Sequence, residues 1–120
     1  MAWRVAVMAM ASATVLLAPS GTPAAAQATG ETLFKQRCGM CHTPGKSLMG
    51  PDLTGVTSRA ARPAYSYSPA MLKQPAKWDT PRLDAFLAGP QKAVPGSKMM
   101  VMVANPADRA LIVGYLKTLK

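Results

Sequence analysis

The stretch Cys38-Gly39-Met40-Cys41-His42 constrains this chain more than any other. It holds both cysteines and the single histidine of the 120 residues. Cys-x-x-Cys-His is the spacing that attaches a c-type haem. Each thiol adds across a vinyl group of the porphyrin, and the histidine beside the second thiol is carried beneath the iron as the proximal ligand. Other uses of the pair fit less well. A thioredoxin-type redox disulfide goes with a βαβ pattern, which is not visible here. A structural zinc site takes four ligands, and no second Cys/His pair is present to complete one. A plain structural disulfide is the remaining alternative. The motif together with an export signal favours haem attachment.

The export signal is read from the N-terminus. Arg4 supplies a thin positive region, and Val5 to Ala18 is almost wholly apolar. Pro19, Gly21 and Pro23 break the run, and two A-x-A sites follow, Ala24-Ala25-Ala26 and Ala26-Gln27-Ala28. The expectation is a signal peptide over 1–26, cleaved after Ala26 or Ala28, and one domain over 27–120. The apolar run is short for a transmembrane span, so no span is expected in the mature form; an uncleaved anchor is the alternative. Export places the protein in a compartment such as the bacterial periplasm.

Formal net charge is +9, and removing Arg4 with the signal leaves +8. Such a surface favours acidic partners. Nucleic acid fits poorly, because the basic residues are spread singly with no basic run or aromatic interleaving. A domain of this size has a modest core of its own. A buried, covalently held haem would add apolar surface, which predicts a poorly folded apoprotein.

The chain reads as all-α, with about four short helices and long loops rich in Pro and Gly. Thr29 precedes a first helix over about Gly30 to Cys38, with Leu33 and Phe34 facing inward. Ser68-Pro69, Thr80-Pro81 and Asn105-Pro106 each pair a capping residue with proline at the first helical position. They open helices over about Ser68–Leu72, Thr80–Ala88 and Pro106–Leu119. Leu83, Phe86 and Leu87 share one face of the third. Leu111, Ile112, Tyr115, Leu116 and Leu119 form the stripe of the last. Gly114 beside that stripe invites close approach by another helix, the alternative being a tolerated glycine. The long loop from Thr43 to Tyr67 is explained if it wraps a cofactor.

One histidine provides one nitrogen ligand, so a sixth position on iron needs another residue or stays open. The methionines are the candidates. In Val94-Pro95-Gly96-Ser97-Lys98-Met99, proline and glycine stiffen a turn able to hold a thioether in place, with Met100 and Met102 as close competitors. At this point the chain resembles the class I c-type cytochromes, the small soluble monohaem electron carriers of bacteria and mitochondria. The likeness spans the whole mature chain. Gly30 and Phe34 match the family's first helix, and Cys38, Cys41 and His42 match its haem motif. Gly50-Pro51-Asp52-Leu53-x-Gly55 matches the segment that follows. Leu87-Ala88-Gly89-Pro90 and Pro95 to Met99 match the approach to the axial methionine. Ile112, Tyr115 and Leu116 match the last helix, which crosses the first.

The resemblance implies the cytochrome c fold around one covalent haem c, with His42 and Met99 as axial iron ligands. It implies that the Pro51 carbonyl accepts the proximal imidazole N–H, a contact that fixes the ring and raises its basicity. Arg59, Tyr67 and Trp78 fall where the haem propionates are bound, and Ser97 belongs to the pocket. Departures are a shortened loop between Arg59 and Tyr67, Phe86 in place of a tyrosine that bonds the methionine sulfur, Val101 near the exposed haem edge, and Met71 on its buried side. All three substitutions make the pocket more apolar.

His/Met ligation raises the potential and fills the coordination sphere, which suits outer-sphere electron transfer and argues against an enzyme. Arg37, Lys46, Lys92 and Lys98 flank the haem-bearing segments and are the expected docking ring. The resemblance implies a monomer that meets a cytochrome bc complex at one end, and a terminal oxidase, reaction centre or dehydrogenase at the other. Two rivals remain: an open-site haem protein that binds a small gas or reduces peroxide, and an anchored subunit of a larger redox complex.

Overall fold

A computed structural model describes residues 29–120. The expected signal peptide and its cleavage sites lie outside the described residues. Among the described residues five helices follow one another: α1 (Gly30–Arg37), α2 (Pro69–Leu72), α3 (Thr80–Ala88), α4 (Pro90–Ala93) and α5 (Pro106–Leu116). No strand occurs among the described residues, and no helix among them is long and apolar enough to cross a membrane.

Four of the helix starts have a side-chain cap. The Thr29 hydroxyl accepts from Thr32 N–H, Ser68 from Met71 N–H, and Asn105 from Ala107 N–H. Each satisfies an N–H that the helix itself leaves free. The third start differs from expectation. Asp79, not Thr80, is the cap of α3, its carboxylate accepting from Arg82 N–H at 2.9 Å. Asp outranks Thr as a cap, and Thr80 is drawn into the helix. The short helix α4 is additional to the four expected from the sequence, although Gly89-Pro90 carries the same proline start signal.

α1 packs on α5, α5 on α3, and α3 on α4. Phe34 is 1 % exposed and meets Tyr115 at a ring-centroid distance of 5.2 Å. Leu33, Leu83, Phe86, Leu87, Ile112 and Leu116 are buried as expected. The last helix departs from its expected stripe. Val113 is buried and Leu111 is exposed, and the helix ends at Leu116 rather than Leu119. A face wedged between α1 and α3 is wider than a one-sided stripe, so it takes in Val113. Leu119 still packs on the core from the turn beyond α5, where its carbonyl accepts from Gly55 N–H.

The close helix approach belongs to Gly30, not to Gly114. A Cβ on Gly30 would lie 2.1 Å from the Leu111 carbonyl oxygen, whereas one on Gly114 meets nothing within 4 Å. Here the contact of α5 with α1 is made by Leu111's backbone, which is why its side chain is free to face outward.

Arg109 ties three elements together. Its guanidinium donates to Asp84 of α3 at 2.7 Å and to the carbonyls of Val103 and Ala104 at 3.0 and 2.8 Å. The Arg109 side chain is only 12 % exposed. Charge-assisted bonds of this kind contribute about 1.5–3 kcal/mol. Arg109→Leu is therefore expected to lower unfolding stability by about 2 kcal/mol, read as a shifted denaturant midpoint at constant slope. A shift within error of zero would mean that the ion pair is only a surface contact.

Candidate functional site

The chain between α1 and α2 doubles back beneath α1. His42 N–H donates to Cys38 O at 2.8 Å and Gly50 N–H to Cys41 O at 2.9 Å. These bonds place both thiols and the imidazole along one wall of a cavity of about 320 Å³. Cys38 is buried and Cys41 half-buried, and both thiols are free. Burial pushes the Cys38 thiol above its ordinary pKa.

The imidazole is fixed on its far side. His42 Nδ1 lies 2.9 Å from Pro51 O. A carbonyl only accepts, so Nδ1 carries the hydrogen of this bond, and in a neutral imidazole the lone pair is then on Nε2. Gly50 allows this: a Cβ there would sit 2.6 Å from His42 Cε1. The loop beyond is pinned by Asp52, whose Oδ1 accepts from Gly45 N–H, Thr54 N–H and the Thr54 hydroxyl. Burial alone would raise the Asp52 pKa, but these bonds outweigh it and hold the carboxyl below its usual range. Tyr65 adds a further tie, its hydroxyl donating to Met49 O at 2.6 Å.

Met99 comes to the same cavity from the loop after α4. The turn before it needs Gly96, whose φ is +91°. Ser97 is buried, and its hydroxyl accepts from Met99 N–H at 3.3 Å. The three neighbouring methionines differ sharply. Met99 packs against the core, while Met100 is 73 % and Met102 63 % exposed. Beyond them, Val103 N–H returns to Leu87 O at 2.8 Å and closes the loop onto α3.

The rest of the lining is largely apolar. Trp78 and Phe86 are buried with ring centroids 5.0 Å apart. Met71, Leu83 and Ile112 complete that side, and Val101 stands exposed at the mouth. Arg59 and Tyr67 also line the cavity, so the structure brings together Cys38, Cys41, His42, Pro51, Arg59, Tyr67, Trp78, Ser97 and Met99. Arg59 donates to Asp52 O at 2.9 Å and Ala76 O at 3.4 Å; the Tyr67 hydroxyl donates to Pro63 O at 3.2 Å. Burial lowers the Arg59 pKa and raises that of Tyr67.

Sequence reasoning missed two lining or supporting residues. Gln91, on the overlooked α4, donates from Nε2 to Ser97 O and to Met99 O, and lies 3.4 Å from Met100 Sδ. It therefore holds the backbone on both sides of Lys98. Arg62 lines the cavity beside Tyr67. Of the four basic residues expected to form a docking ring, Lys46 and Lys92 are exposed. Arg37 pairs with Asp108 at 3.3 Å, and Lys98 Nζ donates to Ser66 O at 2.6 Å.

These residues suit a haem. Two thiols and an imidazole share one wall, an apolar chamber would sandwich the flat ring, and guanidinium groups stand ready for its carboxylates.

The comparisons agree. The family model described as cytochrome c matches residues 27–120. Cytochrome c2 of Rhodomicrobium vannielii is 38% identical over 117 residues, covering 92% of this chain and 93% of its own. Cytochrome c-type cyt cy of Rhodobacter capsulatus is 42% identical over 94 residues; the match covers 75% of this chain and 47% of that relative, so this chain spans about half its length. Among solved structures, cytochrome cH from Methylobacterium extorquens superposes with a TM-score of 0.67 at 38% identity, covering 74% of this chain and 94% of that one.

Proposed function

The chain belongs to the cytochrome c family, whose members carry haem c on a Cys-x-x-Cys-His motif, and on that premise we propose that it is an exported one-electron carrier whose haem iron is held by His42 and Met99. The observation that carries this reading is that the chain's only imidazole and the Met99 thioether, whose loop is set by the Gly96 turn and the Ser97 hydroxyl, line a single cavity, Met71 being the other core-packed thioether there. When bound, the haem supplies a ferric–ferrous couple whose potential a His/Met pair raises.

The protein's part is to hold and insulate. Pro51 O takes the Nδ1 hydrogen of His42, so the ring is oriented and Nε2 is left to ligate. Ser97 and Gln91 fix the backbone at Met99, so the thioether is held rather than free to swing. With His42 and Met99 both serving as ligands, a bound haem iron would have no place left for a substrate. Trp78, Phe86, Leu83 and Ile112 would keep water from a bound haem and limit solvent reorganisation when its charge changed. Lys46 and Lys92, with Arg37 and Lys98 at the cavity rim, form a positive surface that steers acidic redox partners. Partners of the bc-complex, oxidase, reaction-centre or dehydrogenase classes suit such a carrier. Export, cleavage after Ala26 or Ala28 and a periplasmic location complete the proposal.

The test is an absorption spectrum of holoprotein made with haem-attachment machinery. Ferric protein should show the weak far-red charge-transfer band of methionine–iron ligation. Met99→Ala should abolish the band and lower the potential, while Met100→Ala should leave the band in place. Ready carbon monoxide binding by the reduced native protein would instead indicate an open site, and the gas-binding or peroxide-reducing reading would replace this one.

A further inference from the structure

Three guanidinium groups line the cavity, those of Arg37, Arg59 and Arg62, and among the described residues the last two have no ion-pair partner. Among the described residues the ion pairs are Lys35–Glu31, Arg37–Asp108 and Arg109–Asp84. Arg59 and Arg62 are in none of them. Arg59 reaches only the carbonyls of Asp52 and Ala76, and Arg62 only the carbonyl of Met71, from Nη2 at 3.0 Å. Asp52 is close enough to be felt by Arg59, but its carboxylate is committed to Gly45 and Thr54.

Arg62 is held where it is. Its Cζ lies 5.8 Å from the Tyr67 ring centroid, and the Tyr67 hydroxyl bonds back to Pro63 O, the residue after Arg62. The fork is thus positioned from α2 by Met71 and from the loop by Tyr67. One of its five N–H donors is used within the protein, and the others are free for a planar, bidentate acceptor. Two like charges drawn together at an apolar surface are costly unless an anion joins them. A carboxylate is the chemistry that fits.

We propose that Arg62 is a second carboxylate-binding residue for the haem, acting with Arg59 on its propionate groups. The proposal rests on the haem-carrier reading and extends it to a residue in the shortened loop. Its consequence is electrostatic. A carboxylate left uncompensated near the iron stabilises the ferric form, and a guanidinium against it favours the ferrous form.

The experiment is spectroelectrochemical titration of holoprotein with Arg62→Gln, Arg62→Lys and Lys73→Gln, alongside the native chain. Lys73 is exposed and lies outside the cavity lining, so it reports the effect of a surface charge that is not part of the site. Arg62→Gln should lower the reduced-to-oxidised ratio at fixed solution potential on the order of tenfold, which for one electron is about 59 mV. Lys73→Gln should shift it far less. Arg62→Lys keeps the charge and loses the fork, and should fall between the native protein and Arg62→Gln. If Arg62→Gln does not accumulate, Arg62→Lys decides alone, a potential equal to the native value overturning the inference. Equal shifts in Arg62→Gln and Lys73→Gln, with the far-red band intact in both, would also overturn it. Loss of the covalent haem or far-red band in the native protein would instead bring down the carrier reading, and this inference with it.

Discussion

Gly30→Ala is expected to destabilise the holoprotein strongly, whereas Gly114→Ala is expected to stabilise it. Both glycines lie in helices, and on propensity alone each replacement gains up to about 1 kcal/mol. Space decides the sign. At Gly30 the new methyl would meet the Leu111 carbonyl oxygen at 2.1 Å, the Leu111 carbonyl carbon at 2.9 Å and Tyr115 Cβ at 3.1 Å. Two of these are backbone atoms inside α5, which cannot rotate away as a flexible side-chain end would. Relief requires α1 to move off α5, and that loosens the Phe34–Tyr115 contact and the buried Ile112. Overpacking typically costs about 1–3 kcal/mol and sometimes more, and a clash between two helix backbones belongs at the upper end. Against a total stability of about 5–15 kcal/mol, that is a large fraction. At Gly114 nothing lies within 4 Å, so the propensity gain of about 0.5–1 kcal/mol stands unopposed. Denaturant titrations of the two variants should move in opposite directions. Shifts of the same sign would show that α1 and α5 do not close as tightly as the Gly30 contact requires.

This pair also marks where the sequence was readable. Short polar caps followed by proline announce helices directly, because the cap bond and the fixed proline φ are local properties. Hence the starts at Ser68 and Asn105 were legible, and the start at Thr29, which glycine follows, was legible from its cap alone. Asp79 displaced Thr80 because two capping residues stood side by side and the better acceptor won. The Cys-x-x-Cys-His motif and the Pro-Gly turn before Met99 were legible for the same local reason. What escaped depends on distant partners. Which glycine admits a neighbouring helix, and whether Leu111 or Val113 faces inward, is set by where α1 and α3 lie against α5. Gln91 bonds across six and eight residues to the carbonyls of Ser97 and Met99. Arg62 meets Met71 only because α2 folds back beside the loop. No period or cap in the chain encodes such meetings.

Removing both attachment thiols, in Cys38→Ala/Cys41→Ala, is expected to yield a chain with no covalent haem and little stable tertiary structure. The reason lies in the shape of the core. Phe34, Trp78, Leu83, Phe86, Leu87, Ile112 and Leu116 are core residues and also line the cavity. Helices α1, α3 and α5 thus meet partly around the cavity rather than wholly on one another. Without a tethered ring, those side chains face water or collapse inward. By the cavity relation of about 24 cal/mol per Å³, a void of about 320 Å³ corresponds to a penalty of about 8 kcal/mol. Water entering through the open mouth reduces that figure, yet it remains comparable with the whole stability of a small domain. Local bonds, such as the Asp52 cluster and the helix caps, do not replace a missing core, because each is worth only about 1 kcal/mol. The variant should release all its haem on denaturing extraction, show a weak helical circular dichroism signal, and unfold without a cooperative transition. A single substitution, Cys41→Ala, keeps the buried Cys38 thiol and should retain one-point attachment with an intermediate midpoint. If the double variant melted cooperatively near the native midpoint, the helices would be packing on one another without the haem. The domain's dependence on its prosthetic group would then have to be abandoned.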